Sequence, residues 1–253
     1  MPIAFTRPVS RAMNQCELSH LARTPIDVAL ARSQHEHYER ALLSCGYSIS
    51  RLPAADDQPD AVFVEDILVV VDGLAIITRP GAESRRGELA GLPGALPASL
   101  RRATITAPGT LDGGDVLRVG NRVFVGRTAR TNEDGIRQLT ALLSPLGIIV
   151  TPIAVTACLH LKSAVTVVGD DLVLLNPAWI DPQHFGAYQT VHTDPGEPSA
   201  ANALRVHERV IYSGSHGRTA ERLRAAGLEL LTVDVSEAEK AEGAVTCCSV
   251  LLD

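Results

Sequence analysis

A hairpin, a helix and a further strand recur along this chain at intervals of about 50 residues, a period at which repeated structural units have to be considered. In AVFVEDILVVVDGLAIITRP, two β-branched runs flank Asp72-Gly73, a dipeptide that accepts the left-handed backbone of a tight hairpin turn. LDGGDVLRVGNRVFVG predicts a second hairpin turning at Gly120-Asn121, SAVTVVGDDLVLLN a third at Gly169-Asp170, and ALRVHERVIYSG another paired segment. Helices are expected from about Thr24, with Pro25 in the first helical position, to Gly46; from Thr131 or Asn132 through TNEDGIRQLTALLSPLG; and in GRTAERLRAAG. ATITAP at 103–108, IIVTPIAV, LELLTVDV and AVTCCSVLLD supply further strands. Residue identity between the units is poor, so element order alone carries the repetition. Mixed ββαβ units predict an α/β protein, built either as consecutive layers or as a closed ring whose loops converge on one axis.

The length of 253 residues and a 45% hydrophobic content suffice for a large core. Twenty-three basic against 29 acidic residues leave a net charge of -6, and no dense Lys/Arg run is present to neutralise a phosphate backbone, which argues against nucleic acid as a partner. No run of about 18 apolar residues occurs, and MPIAFTRPVSR lacks the basic-then-apolar order of a secretory signal. A soluble, cytoplasmic protein without a membrane partner is expected. The five cysteines, Cys16, Cys45, Cys158, Cys247 and Cys248, are odd in number and irregularly spaced, which speaks against a disulfide framework and a four-ligand zinc cluster. Neither metal nor cofactor is expected, and free thiols are left for chemistry.

Cys247 and Cys248 stand at the head of the expected last strand, where alternation turns neighbouring side chains to opposite faces; buried core cysteines are the plain alternative. A reactive cysteine needs a base or an electropositive setting. His35 and His37 fall on the polar face of the first helix, and His184, His192, His207 and His216 in exposed contexts, whereas CLHLKS places His160 between two leucines that would enclose its ring; a satisfied structural histidine is the plain alternative. Asp112, just before two glycines in LDGGDVL, is a turn residue or a carboxylate able to orient a histidine. Asp60, Glu65 and Asp66 in PDAVFVED concentrate negative charge suited to a cation; solvated loop carboxylates are the alternative, equally for Asp60 and less so for Glu65 and Asp66 inside a strand pattern. Arg85 and Arg130 are surface residues or a clamp for a small carboxylate. No GxGxxG follows a strand, no GxxxxGK[ST] occurs, and SGSHG does not satisfy GxSxG.

Taken together and in order, PDAVFVED, ITRPGAESRRGE, LDGGDVL, RTN, LHLKS and TCCSVL resemble the dimethylarginine dimethylaminohydrolases of the guanidine-modifying superfamily, across nearly the whole chain. The resemblance implies a single domain over residues 1–253 with the pentein fold: a five-bladed α/β propeller of ββαβ modules around a central active-site channel. By motif, it implies Cys247 as nucleophile, His160 as general acid and then base, and Asp112 as the residue orienting His160. Asp66, assisted by Glu65, would bind the guanidinium; Asp60 and Leu18 would lie beside the α-amino group, and Arg85 and Arg130 would hold the α-carboxylate. Phe63 would line the channel, and Ala241 would contribute backbone near the nucleophile. The implied reaction converts a small molecule, Nω-methylated arginine, to citrulline and an amine through a covalent S-alkylthiouronium, and a homodimer is allowed. Two alternatives stay open: an arginine deiminase-like hydrolase, and a non-catalytic pentein acting as a binding factor. Cys158 stands where the family often has glycine, so strain is expected there if the position needs a positive φ.

Overall fold

The computed structural model describes residues 2–252. Among them, fifteen short strands form five three-stranded sheets. The first sheet contains β1 (Ile3–Thr6), β2 (Ser48–Arg51) and the last strand of the chain, β15 (Val250–Leu252). The others each use consecutive strands: β3 (Leu68–Val71), β4 (Leu74–Ile77) and β5 (Arg101–Thr104); β6 (Val116–Val119), β7 (Arg122–Arg127) and β8 (Ile149–Ala154). Then come β9 (Val165–Val167), β10 (Leu172–Leu175) and β11 (Gln189–His192), and finally β12 (Ala203–Val206), β13 (Arg209–Ser213) and β14 (Glu229–Val233). In every sheet the middle strand pairs antiparallel with one neighbour and parallel with the other.

This pattern is the ββαβ unit expected from the sequence. An antiparallel pair needs only a tight turn, while the parallel third strand requires a longer crossover. The crossovers are the helices Val28–Ser44, Glu133–Leu143 and Gly217–Ala225, and in the remaining units shorter helical turns. The Asp72-Gly73 turn carries φ of 46° and 73°, the two left-handed residues that a type I′ hairpin requires. β1 lies between β15 and β2, so the two ends of the chain complete one sheet and shut the ring. The leading strands pack on one another, β15 beside β3, β6 beside β9 and β9 beside β12, which places the loops that enter them together. No helix among the described residues is long and apolar enough to cross a membrane.

Several boundaries differ from expectation. The first helix starts at Val28 because Asp27 caps it, its carboxylate accepting from the Ala29 and Leu30 N–H groups; Pro25 belongs to the extended approach. The segment Val64–Ile67 is a 3₁₀ turn and the strand begins at Leu68, so Glu65 and Asp66 sit on a turn, not in a strand. The strand expected at 103–108 runs Arg101–Thr104, and the last begins only at Val250. Cys158 has no positive φ, so the cysteine is unstrained there.

Asn132 caps the helix Glu133–Leu143 as expected: its Oδ1 accepts from Gly135 N and also from Thr110 N, both at 2.9 Å. Loss of the cap in Asn132→Ala is expected to cost about 1–2 kcal/mol. Thermal unfolding should then fall by roughly 2–8 °C for a domain of this size, measured by circular dichroism, with the kinetic constants unchanged.

Candidate active site

Four side chains meet where the loops entering successive sheets converge: Asp66 ahead of β3, Asp112 ahead of β6, His160 ahead of β9 and Cys247 ahead of β15. His160 Nε2 lies 3.1 Å from Asp112 Oδ2, and its Nδ1 lies 3.7 Å from Asp66 Oδ1. Asp112 is held in turn by the Gly81 N–H, which donates to Oδ1 at 2.8 Å. A Cβ at Gly114 would stand 2.6 Å from His160 Nδ1, so the LDGGDVL glycine lets the imidazole lie directly against backbone. Gly114 N also donates to Asp66 Oδ1 at 3.1 Å. Asp115, which the sequence reading passed over, accepts from Leu161 N and from the Thr128 and Thr131 hydroxyls, and so anchors the segment carrying His160. Burial pushes Asp115 up to about 6 despite these donors.

The electrostatics give His160 and Cys247 opposite tendencies. Burial works against the imidazolium, but the charge of Asp66 and the bond to Asp112 outweigh it and lift His160 to about 9, so it is cationic at neutral pH. Burial, followed by the charges of Glu65 and Asp66, pushes the Cys247 thiol well up. A bound cation would offset that pair of carboxylates and favour the thiolate.

Cys247 and Cys248 lie in a turn, so strand alternation is not what separates them. Cys247 is half-buried and borders the cleft, whereas Cys248 is 3% exposed and directs its thiol to Ala244 O at 3.5 Å. Burial raises the Cys248 and Cys158 thiols to about 12, and Cys158 points its Sγ to His160 O at 3.3 Å.

Asp60, Phe63, Asp66, Arg85 and Arg130 line one narrow cleft together with His160, Ala241 and Cys247. Glu65 and Asp112 stand behind it. Leu18 does not line it but packs half-buried against the apolar cluster holding Met13, while its neighbour Glu17 takes the place at the wall. A wider cavity of about 290 Å³ reaches Cys247 from the other side of Leu159, Glu242 and Gly243. The two arginines differ. Arg130 is buried, donates to Ser19 Oγ at 3.2 Å, and sets Nη1, which makes no hydrogen bond, 4.0 Å from Asp112 Oδ2. Arg85 bonds Asp66 through Nη1 at 2.6 Å and Glu88 through Nε and Nη2 at 2.8 and 2.9 Å, and Nη2 also reaches the carbonyls of Asp60 and Phe63.

Two further features escaped the sequence reading. Glu242, at φ 58°, accepts from the backbone N–H groups of Ser19, His20 and Leu21 and ties down the segment whose His20 and Leu21 line the wider cavity. His35 and His216, expected in solvent, are buried, 3.6 Å from Glu39 and Glu239 respectively. Asp66, Asp112 and His160 each bring one ligand atom to within 4.8 Å of the others, but these atoms already pair among themselves and with Arg85 and Gly81.

No protein-family model matches the sequence. Over 252 residues the chain is 42% identical to the N(G),N(G)-dimethylarginine dimethylaminohydrolase of Streptomyces coelicolor, covering 98% of this chain and 96% of that one. The chain belongs to the dimethylarginine dimethylaminohydrolase family. Among solved structures of such dimethylarginine dimethylaminohydrolases, a cysteine-to-serine variant from Pseudomonas aeruginosa in complex with citrulline superposes at a TM-score of 0.93, with 34% identity and 98% of both chains covered. A histidine-to-glycine variant, as an adduct with S-methyl-L-thiocitrulline, superposes at 0.92 with the same identity and coverage. Membership in the dimethylarginine dimethylaminohydrolase family makes the chain a hydrolase and sets aside the non-catalytic binding factor.

Proposed function

We propose that this chain hydrolyses Nω-methylated arginine, asymmetric dimethylarginine or the monomethyl form, to citrulline and dimethylamine or methylamine. The observation that carries the reading is the meeting of a half-buried thiol, a cationic His160 paired with Asp112, and Asp66 at one cleft that Arg130 and Asp60 also line.

On binding, the guanidinium lies against Asp66 with the Glu65 charge behind it, and the thiol of Cys247 loses its proton to solvent as the added cation offsets those carboxylates. The sulfur attacks the guanidinium carbon, and the tetrahedral adduct expels the amine as His160 delivers its proton to the departing nitrogen. An S-alkylthiouronium remains on Cys247. The now neutral His160 takes a proton from water as its oxygen adds to the same carbon; the C–S bond breaks, citrulline leaves, and the sulfur recovers its proton. No metal or cofactor is called on. The citrulline complex and the thiocitrulline adduct of the two relatives support both ends of this sequence. A methylthio group needs less help in leaving than an amine, so an adduct in a histidine-less relative accords with a histidine that acts on the amine and on water.

Incubation with asymmetric dimethylarginine, arginine and agmatine, followed by a colour reaction for the ureido product, tests the proposal. Ureido product from dimethylarginine in clear preference to the other two is expected; preference for arginine would favour a deiminase.

Arg130 lines the cleft with an Nη1 that makes no hydrogen bond, its one charge partner there being Asp112 at 4.0 Å, and this free donor suits it to read the α-carboxylate. Arg130→Ala is expected to raise KM for dimethylarginine about 10- to 150-fold, the equivalent of roughly 1.5–3 kcal/mol for a charged hydrogen bond. Agmatine, which lacks the carboxylate, should be handled no worse by the variant than by the parent. Arg85→Ala, by contrast, should impair both substrates, because it also removes the cation that holds Asp66. Equal losses on both substrates in Arg130→Ala would remove the carboxylate-reading role.

A further inference from the structure

Of the five loops that enter a leading strand, four carry Asp66, Asp112, His160 and Cys247. The fifth, ahead of β12, carries Asn202, which is buried and has no place in the chemistry above. Its amide grips Thr246 twice: Nδ2 donates to Thr246 Oγ1 at 2.9 Å, and Thr246 N donates to Oδ1 at 3.1 Å. The same Nδ2 reaches Lys162 O at 3.2 Å. Thr246 Oγ1 donates onward to Glu65 Oε2 at 2.8 Å, Lys162 Nζ donates to Glu65 Oε1 at 2.7 Å, and Glu65 N donates to Cys247 O at 3.2 Å.

The direction of every bond in this chain is determined. Glu65 can only accept, so Thr246 must donate to it and is left to accept from Asn202; the ammonium of Lys162 can only donate. A buried chain with one consistent assignment is rigid. Cys247 needs such support, because it stands in a turn with neither sheet nor helix hydrogen bonds to aim its sulfur. Glu65 needs it as well: Lys162 supplies the cation facing its charge, and Thr246 fixes the second oxygen.

We propose that Asn202, Thr246 and Lys162 are positioning residues for this reaction, holding the Cys247 turn and the Glu65 carboxylate in register and acting only through those two groups. The inference rests on Cys247 being the nucleophile. A nucleophile displaced by about 1 Å costs on the order of 100-fold in rate, and a positioning defect falls on kcat while substrate binding by Asp60 and Arg130 persists.

The test compares kcat and KM for dimethylarginine in Thr246→Val, Thr246→Ser, Lys162→Met, Lys162→Arg and Cys247→Ser. Thr246→Val keeps the shape and removes the donor; a fall in kcat of about 10- to 100-fold, with KM within about threefold, is expected, and Thr246→Ser should recover most of it. Lys162→Met should act in the same direction and Lys162→Arg should restore the rate; this pair decides the matter if Thr246→Val does not fold. Full kcat in Thr246→Val and Lys162→Met beside an inactive Cys247→Ser would overturn the positioning role alone. So would a loss confined to KM, or conservative variants as impaired as the others. An active Cys247→Ser would overturn the nucleophile assignment and this inference with it.

Discussion

Cys247→Ser is expected to abolish turnover of methylated arginine, by a factor on the order of 10⁴ or more, as when the nucleophile of a covalent mechanism is removed. A serine hydroxyl is far harder to ionise than a thiol, and its one potential base, His160, is already protonated at neutral pH because it is lifted to about 9. Cys248→Ser should retain turnover within about threefold, because the Cys248 thiol is 3% exposed, aimed at Ala244 O, and needs only a small polar donor in its place. Steady-state assay of citrulline formation with both variants, with mass spectrometry of the parent protein mapping the site of alkylation by iodoacetamide, checks the assignment. Equal loss in both variants, or alkylation at Cys248 in preference to Cys247, would sink it.

His160→Gln is expected to lower turnover of dimethylarginine by about 10²- to 10⁴-fold, the usual contribution of a positioned general acid and base. The two halves of its role can be separated by choice of substrate. With dimethylarginine the variant should show no covalent species on Cys247, because the amine cannot depart unprotonated. With S-methyl-L-thiocitrulline the sulfur leaving group departs unaided, and the adduct should accumulate for want of a base to activate water. Mass spectrometry of the intact protein reads both outcomes. In the parent enzyme, turnover should decline as pH rises past about 9, where the imidazolium of His160 loses its proton; a stable adduct from dimethylarginine in the variant would restrict His160 to hydrolysis.

Much of the fold was readable from local patterns, because tight hairpins are written in two or three adjacent residues. Asp72-Gly73 and the Asn132 cap stand where the chain pattern put them. Errors arose where one local signal imitated another. Val62, Phe63 and Val64 read as a strand, yet the ladder begins only at Leu68, since the segment before it turns to deliver Asp66 and Glu65 into the centre. Strand alternation set the two cysteines on opposite faces, but what distinguishes them is a turn and the packing of Cys248 against Ala244. The partners of Arg85 also lay beyond local pattern, although Glu88 is only three residues away. Glu242 bonds to backbone more than 200 residues distant, so no window on the sequence could have shown it. His35 and His216 looked solvated because each occurs among polar neighbours, and only tertiary packing encloses them.

The strand β15 begins three residues after Cys247 and completes a sheet whose other two members, β1 and β2, lie at the opposite end of the chain. During synthesis, then, most of the chain emerges before the strand that shuts the ring exists, and chains acquire structure from the N-terminal side as they emerge. Until the segment carrying Thr246 and Cys247 is made, its bonds to Asn202 and Glu65 cannot form, so the thiol joins Asp66 and His160 only after the other four loops exist. The reactive centre is thereby tied to a late step of assembly, because its nucleophile follows the other four loops in chain order.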